Sequence, residues 1–412
     1  MEFFTGPHKI KFILQDNNNW QRFVLKHPRL MRTSILENIQ KLFECGTEAM
    51  GYHTFVCPQC GYTVRIPHSC KSRFCSSCGK VATDKWMTES LNRILNVPYF
   101  HIVFTIPDKL RELFKTNRSL LNTLPYHAAH SIIEWARKYA DDPFVPGIIS
   151  VLHTFGADLK YHPHIHLLVT AGGLSLDKTR WISDRRKFLL PEYGLKKRWR
   201  YRIIATVRKL LKEQQLNIPL MEIYSTDSKI RKLLNKLYSK IWYVFIGKRL
   251  DDASFTIHYI GRYTKRPVIS ETRIYKYDGK TVTFFYKDTS TKEKTHLTLT
   301  VEDFIKRLIR HIPDKHFRQV RYYGIFAPKS QATGLDIARK IVAQPPARMI
   351  KPQPQNWRDR RISQNGVDPL ICPYCNIKLE LYEVTYGPKY EDHNLELFDA
   401  RGDPCFGNVK YN

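Results

Sequence analysis

Residues His153–Ser175 read HTFGADLKYHPHIHLLVTAGGLS, a segment patterned as a pair of strands. Two strand-like runs, GIISVLHTF ending at Phe155 and HPHIHLLVT opening at His162, flank the short connection ADLKY. Apolar and β-branched runs of strand length on either side of a polar turn predict a β-hairpin. Residues two apart on a strand share a face, so His164 and His166 aim their imidazoles one way while Ile165 and Leu167 enter the core. His153 stands about as far before the turn as His164 stands after it, which brings it towards the same face as a cross-strand neighbour. Asp158 and a residue near the tyrosine helix described below are the other candidates for a third ligand. A three-imidazole site with open positions binds a divalent cation able to polarise a phosphate.

On the N-terminal side of this hairpin, YFHIVFTI from Tyr99 predicts a strand and residues 118–140 a helix. A second helix opens at Asp227 with Ile230, Leu233, Leu234, Leu237, Ile241 and Phe245 facing inward. SFTIHYIGRYTKR is a helix candidate stopped by Pro267. RIYKY and TVTFFYK bracket an Asp278–Gly279 turn, and VEDFIKRLIRHI and QVRYYGIFA follow as helix and strand. Antiparallel strands mixed with helices predict an α+β domain over 98–328. Tyr259 and Tyr263 are four apart and therefore stack on one helical face, and Arg262 and Arg266 repeat that spacing. A tyrosine hydroxyl can attack phosphorus, and guanidinium groups beside it, with Lys265, can hold the adjacent phosphates.

Residues 1–97 form a helical and zinc-binding domain in this reading. PRLMRTSILENIQKLFEC, 28–45, sets Leu30, Ile35, Ile39, Leu42 and Phe43 on one helical stripe. Cys57-x2-Cys60 and Cys75-x2-Cys78 lie fourteen residues apart, the pattern of a four-cysteine zinc ribbon. Cys70, His53 and His68 are within reach as a swapped ligand or for a second ion. Arg65, Lys71 and Arg73 between the knuckles point to DNA binding alongside the structural role of the zinc. In the C-terminal region, 329–412, VAQPPARMIKPQPQNWRDRR predicts an extended basic connection. Beyond it Cys372 and Cys375 form half a site, either zinc completed by His393 or Cys405 or plain packing.

Charge narrows the partner class. The 412 residues carry 67 Lys and Arg against 38 Asp and Glu, a net charge of +29 that attracts polyanions, nucleic acid first among them. Apolar residues at 42% and aromatics at 13% are too rich in core formers for a disordered chain. No signal-peptide core opens the chain and no run approaches a membrane span, so a cytoplasmic location is expected. Six of the nine cysteines fall in CxxC pairs, which in a reducing compartment favours metal over disulfides.

Taken in order, SCKSRFCSSC, VPYFHIVFTIP, LHTFGADLKYHPHIHLLVTAGGLS and YIGRYTKRPVIS resemble the HUH-superfamily transposases of rolling-circle insertion sequences, two-tyrosine type with an N-terminal zinc-binding domain. The resemblance implies a ferredoxin-like antiparallel sheet with the HUH strand at its centre, metal ligands at His164 and His166, and nucleophiles at Tyr259 and Tyr263. It further implies magnesium or manganese as the catalytic ion and single-stranded element ends and hairpins as substrate. Nicking would leave the 5′ end on tyrosine and a free 3′ hydroxyl, and two tyrosines would permit two successive strand transfers. No GxxxxGK[ST] loop occurs, so strand separation would fall to host replication factors. The rivals are a plasmid replication initiator or relaxase with the same chemistry, and a non-catalytic zinc-ribbon DNA-binding regulator.

Overall fold

Strand β1 (Tyr99–Thr105), then β2 (Gly147–Phe155) and β3 (Tyr161–Thr170), form the heart of an antiparallel sheet completed by β4 (Val244–Leu250) and β5 (Val320–Gly324). The order is β5-β2-β3-β1-β4, which puts the histidine strand in the middle. This computed structural model describes residues 9–91, 94–183, 192–251, 261, 268–288, 291, 293–330, 334–343 and 357–387. The hairpin closes through Gly156 N–H donating to the Lys160 carbonyl at 3.0 Å, with buried Leu159 at φ +64°. Lys160 N–H donates to Asp158 Oδ1 at 3.1 Å, the Asx chemistry that makes Asp a turn former.

Register sorts the two faces of this sheet. His153 lies opposite His164, Leu152 opposite Ile165, and Ile148 opposite Val169. Ile165, Leu167 and Val169 therefore join Leu152, Ile148, Phe104 and Ile102 on a face covered by helices α1 (Asp108–Thr116), α2 (Thr123–Lys138), α3 (Glu192–Lys212) and α4 (Asp227–Tyr238). Trp199 of α3, fully buried, ties that layer to the sheet by donating from Nε1 to the Thr105 carbonyl at 2.7 Å. The opposite face carries Tyr99, Ile149, Val151 and Leu168 in a second core with Trp86, Phe326 and Leu335. The histidines stand on this second face.

The GG of the TAGGLS segment is explained by a small adjoining sheet of Phe144–Val145, Gly172–Ser175 and Trp181–Ser183. Gly172 has φ +124°, and a Cβ on it would lie 2.2 Å from the Ile182 carbonyl oxygen. One expectation is revised nearby. Helix α4, capped by the Thr226 hydroxyl accepting from Lys229 N–H, ends at Tyr238, so Ile241 and Phe245 do not extend its inner face. Ile241 is exposed, and the β-rich tract after it pairs with β1 as an edge strand, with Val244 inward and Phe245 outward.

The chain divides into two compact units, one of residues 83–265 and 316–353, the other of 1–82, 266–315 and 354–412. The sheet above belongs to the former. Residues 266–315, read from sequence as part of the same α+β domain, belong to the latter. There the strands Ile274–Tyr277, Thr281–Lys287 and Lys294–Thr300 form a meander with the predicted turn, Asp278 Oδ1 accepting from Lys280 and Thr281 N–H at 2.9 and 2.6 Å. Asn19 of the Asn19–Lys26 helix donates to Tyr277 Oη at 2.9 Å, and Phe284 faces Phe304 of the Val301–Ile309 helix. The helix expected over 28–45 runs Thr33–Glu44 with Ile35, Ile39 and Leu42 buried; Leu30 is exposed in a 3-10 turn started by Pro28. Trp357–Asn365 is helical where an extended connection was expected, while 344–356 lies outside the described residues. The architecture is α+β with antiparallel sheets. Among the described residues no helix is long and apolar enough to cross a membrane.

Candidate metal centres

His153, His164 and His166 each present a ring nitrogen, and these atoms lie within 4.8 Å of one another. Rigid neighbours hold them: β2 and β3 are both interior strands, with the helix-covered core on the far side. His164 Nδ1 lies 2.7 Å from the His162 carbonyl oxygen. A carbonyl only accepts, so Nδ1 carries the proton and Nε2 is left as a lone pair. His166 Nδ1 and His101 Nε2 share a hydrogen bond at 2.9 Å, the two rings meeting edge to edge with their planes parallel. Burial pulls the His164 and His101 imidazoles down to about 4, and burial followed by the charge of His153 holds His166 well below the usual histidine range. The rings of His164 and His166 are thus neutral at neutral pH, the form in which imidazole ligates a metal. Asp158, the alternative third ligand, faces the turn and pairs with Lys160 at 3.1 Å; it is not one of the grouped residues. Tyr259, Tyr263, Arg262, Lys265 and Arg266 lie outside the described residues.

The cysteines regroup relative to the sequence expectation. Cys57, Cys60, Cys75 and Cys78 do not meet at one point. Cys75 and Cys78 gather with Cys45 and Cys70; Cys57 and Cys60 gather with Cys372 and Cys375. In the first group Cys45 ends the Thr33–Glu44 helix and Cys78 sits in the first turn of the Ser76–Leu91 helix. Cys78 Sγ lies 3.6 Å from the sulfurs of both Cys45 and Cys70, and Cys75 Sγ lies 3.8 Å from that of Cys45. A tetrahedral zinc with Zn–S near 2.3 Å requires sulfurs about 3.8 Å apart, whereas a disulfide requires about 2.0 Å. The separations fit ligation. Hydrogen bonding with the Cys70 and then the Cys75 thiol lowers Cys45 to about 7, so the cluster already favours a thiolate. His53 and His68 instead pair with each other, Nδ1 to Nε2 at 2.8 Å.

The basic residues between the knuckles differ among themselves. Arg65 lies over the Tyr52 ring and pairs with Glu48 at 3.4 Å, and Lys71 is exposed at φ +53°. Arg73 is half-buried, and burial lowers its guanidinium to about 10.

The Cys45–Cys70–Cys75–Cys78 group and the three histidines sit in segments with known relatives. Residues 16–106 match the family model described as "Transposase zinc-binding domain" and residues 147–333 the one described as "Putative transposase". The chain is 34% identical over 329 residues to "Transposase for insertion sequence element IS801" of Pseudomonas savastanoi pv. phaseolicola, covering 78% of this chain and 77% of that one. It belongs to the IS91-type transposases with an N-terminal zinc-binding domain. Another relative of this transposase is "Putative transposase y4qJ" of Sinorhizobium fredii, 29% identical over 355 residues, with coverage of 84% and 88%. No solved structure matches.

Two residues of the transposase escaped the sequence reading. His101 was visible only as one residue of a strand; with Phe100 and Ile102 assigned to the core, parity alone places it on the histidine face. Cys45 carries no spacing signal, being twenty-five residues from Cys70 and thirty from Cys75.

Proposed function

We propose that this transposase nicks and rejoins single-stranded DNA at the ends of its element by tyrosine nucleophiles acting beside a divalent ion, in rolling-circle transposition. The convergence of His153, His164 and His166 from neighbouring strands carries the reading. The strand order with β3 central and helices on one face supports the ferredoxin-like HUH arrangement. Three converging imidazoles, with the His164 tautomer fixed, suit such an ion, and a purely nitrogen donor set favours manganese over magnesium, which prefers oxygen ligands. When bound, the ion withdraws charge from the scissile phosphate.

The chain's own residues do the rest. The His162 carbonyl keeps His164 Nε2 presented, and His101, which shares a hydrogen bond with His166 Nδ1 and would accept from it if His166 ligates through Nε2, orients that ring. The hydroxyl of Tyr259 or Tyr263 forms a bond to phosphorus while the bond to the 3′ oxygen breaks. The tyrosine gives up its proton, the 3′ oxygen acquires one, and the 5′ side of the DNA remains as a phosphotyrosine ester. Arg262, Lys265 and Arg266 hold the flanking phosphates, and Arg65 and Lys71 of the zinc-binding domain add backbone contacts. Zinc in that domain is structural, held by Cys45, Cys70, Cys75 and Cys78.

The test is incubation with labelled single-stranded DNA from the element ends and manganese. A covalent protein–DNA band is expected from wild type and, through the remaining tyrosine, from Tyr259→Phe and Tyr263→Phe singly. The double variant is expected to form none; an adduct there would place the nucleophile elsewhere.

A further inference from the structure

Cys57 and Cys60 are left without the partners their spacing offers, because Cys75 and Cys78 are committed to Cys45 and Cys70. They meet instead a second knuckle 312 residues away, with Cys60 and Cys372 sulfurs 3.6 Å apart. We infer that Cys57, Cys60, Cys372 and Cys375 hold a second structural zinc, making one zinc ribbon from two distant segments of the chain. The inference is independent of the nuclease reading, since its four cysteines form a group of their own that includes none of the three histidines.

The two knuckles are the same loop built twice. Both read Cys-Pro-x-Cys, CPQCGY at 57–62 and CPYCNI at 372–377. Cys57 N–H donates to the Tyr62 carbonyl at 2.8 Å, and Cys372 N–H to that of Ile377 at 2.8 Å. Gly61 N–H donates back to the Cys57 carbonyl at 3.0 Å, and Asn376 N–H to that of Cys372 at 2.9 Å. The residue after the second cysteine is left-handed in each, Gly61 at φ +70° and Asn376 at φ +54°, the residue types that accept it. Such a turn aims a backbone N–H at the first sulfur, as Cys375 N does at Cys372 Sγ, 3.5 Å away.

The surroundings fit the same conclusion. Cys57 and Cys372 are both 1% exposed and centre a small apolar cluster with Leu379, Phe55, Tyr62, Val64 and Ile377. The chain beyond each knuckle is fixed to the other: Glu380–Tyr386 pairs antiparallel with Gly51–Val56, whose other edge pairs with Thr63–Pro67. Four sulfurs within 4.8 Å of one another, with Cys60 and Cys372 at 3.6 Å, are grouped as a tetrahedral zinc requires, and that pair is far beyond a disulfide's length. On binding, each protonated thiol releases its proton to water and no oxidation occurs.

The experiment uses the full-length protein, purified without chelators. Elemental analysis is expected to find two zinc ions per chain, and the Cys372→Ser/Cys375→Ser variant one. One ion in wild type, or two in the variant, would overturn the inference. A variant that loses both ions through misfolding leaves the decision to wild type itself. There, zinc removal followed by a short bifunctional thiol cross-linker should join the peptide of Cys57 and Cys60 to that of Cys372 and Cys375, and alkylation of all four should be slowed by restoring zinc. Cross-links confined within each knuckle, or alkylation indifferent to zinc, would equally refute it.

Discussion

The histidine centre and the thiol centres solve the same problem in opposite ways. The three imidazoles come from fourteen consecutive residues of one hairpin, and sheet register alone aligns them over a core packed from the other side. The thiols of one group span residues 45 to 78, and those of the other 57 to 375. A hairpin packed into a sheet positions its side chains before any ion arrives; loops drawn from distant segments gain much of their order from the ion. On the proposed reading the sheet should therefore fold with or without an ion at its histidines, whereas the cysteine-built parts should depend on zinc.

Cys75→Ser removes a ligand from the Cys45–Cys70–Cys78 group, and structural zinc is worth on the order of 10 kcal/mol of coupled folding free energy. Cooperative unfolding of the unit built on residues 1–82 should be lost or moved to much lower temperature in calorimetry, with loss of zinc from that site. A protein that binds its zinc and melts unchanged would show that these thiols are packing.

Next in size is the converse. His164→Ala with His166→Ala should abolish DNA cleavage, a loss of several kcal/mol of transition-state stabilisation, at least about a thousandfold. Far-ultraviolet circular dichroism and DNA affinity should change little, because Ile165, Leu167 and Val169 keep the strand in its core. Persistent cleavage would remove the metal from the mechanism; a collapsed sheet would remove the contrast between the two kinds of centre.

The same contrast explains what was legible in the sequence. Strand period two and a symmetric turn were enough to place His153, His164 and His166 on one face and Ile165 and Leu167 on the other, since register is local. Turn and capping chemistry likewise located the Asp278 turn and the start of α4 at Asp227. Tertiary choices were not legible. Ile241 and Phe245 continue a helical stripe as well as they begin a strand, and only pairing with β1 decides between them. The allegiance of 266–315 to the N-terminal unit, and of Cys372 to Cys60, depends on contacts hundreds of residues apart that leave no periodic trace. A fourteen-residue gap between two CxxC pairs suggested a single ribbon, yet spacing constrains only what can meet, and here two other partners lay closer in space.

A smaller effect is expected at His101, beside the histidine centre. His101→Phe keeps a ring beside His166 but deletes the nitrogen that shares a hydrogen bond with it. Loss of such a supporting partner typically costs about 10- to 100-fold in metal affinity or activity. Manganese titration of the cleavage reaction should show a higher requirement with recovery at saturating ion, and His101→Gln, which supplies an acceptor, should restore part of it. Equal loss in both variants at all manganese concentrations would assign His101 to packing alone.

The smallest effect concerns Asp158, the competing third ligand. Its Oδ1 takes the Lys160 N–H and its carboxylate pairs with a largely exposed Lys160 ammonium. Burial opposes its ionisation, yet the backbone N–H and side chain of Lys160 hold its carboxyl below the usual range. A depressed carboxyl contributes stability above the unfolded-state carboxylate range and loses it as pH falls through the folded-state value. Asn keeps the acceptor oxygen and removes only the charge, so Asp158→Asn should cost at most about 1 kcal/mol near neutral pH, as surface ion pairs do. That difference should shrink on acidification, when the wild-type carboxyl is protonated as well. Manganese dependence of cleavage should be unchanged, because the three imidazoles are all still in place. If Asp158→Asn instead raises the manganese requirement as strongly as His153→Ala does, the turn swings its carboxylate into the centre when the ion binds, and the site is not the rigid, register-built one described above.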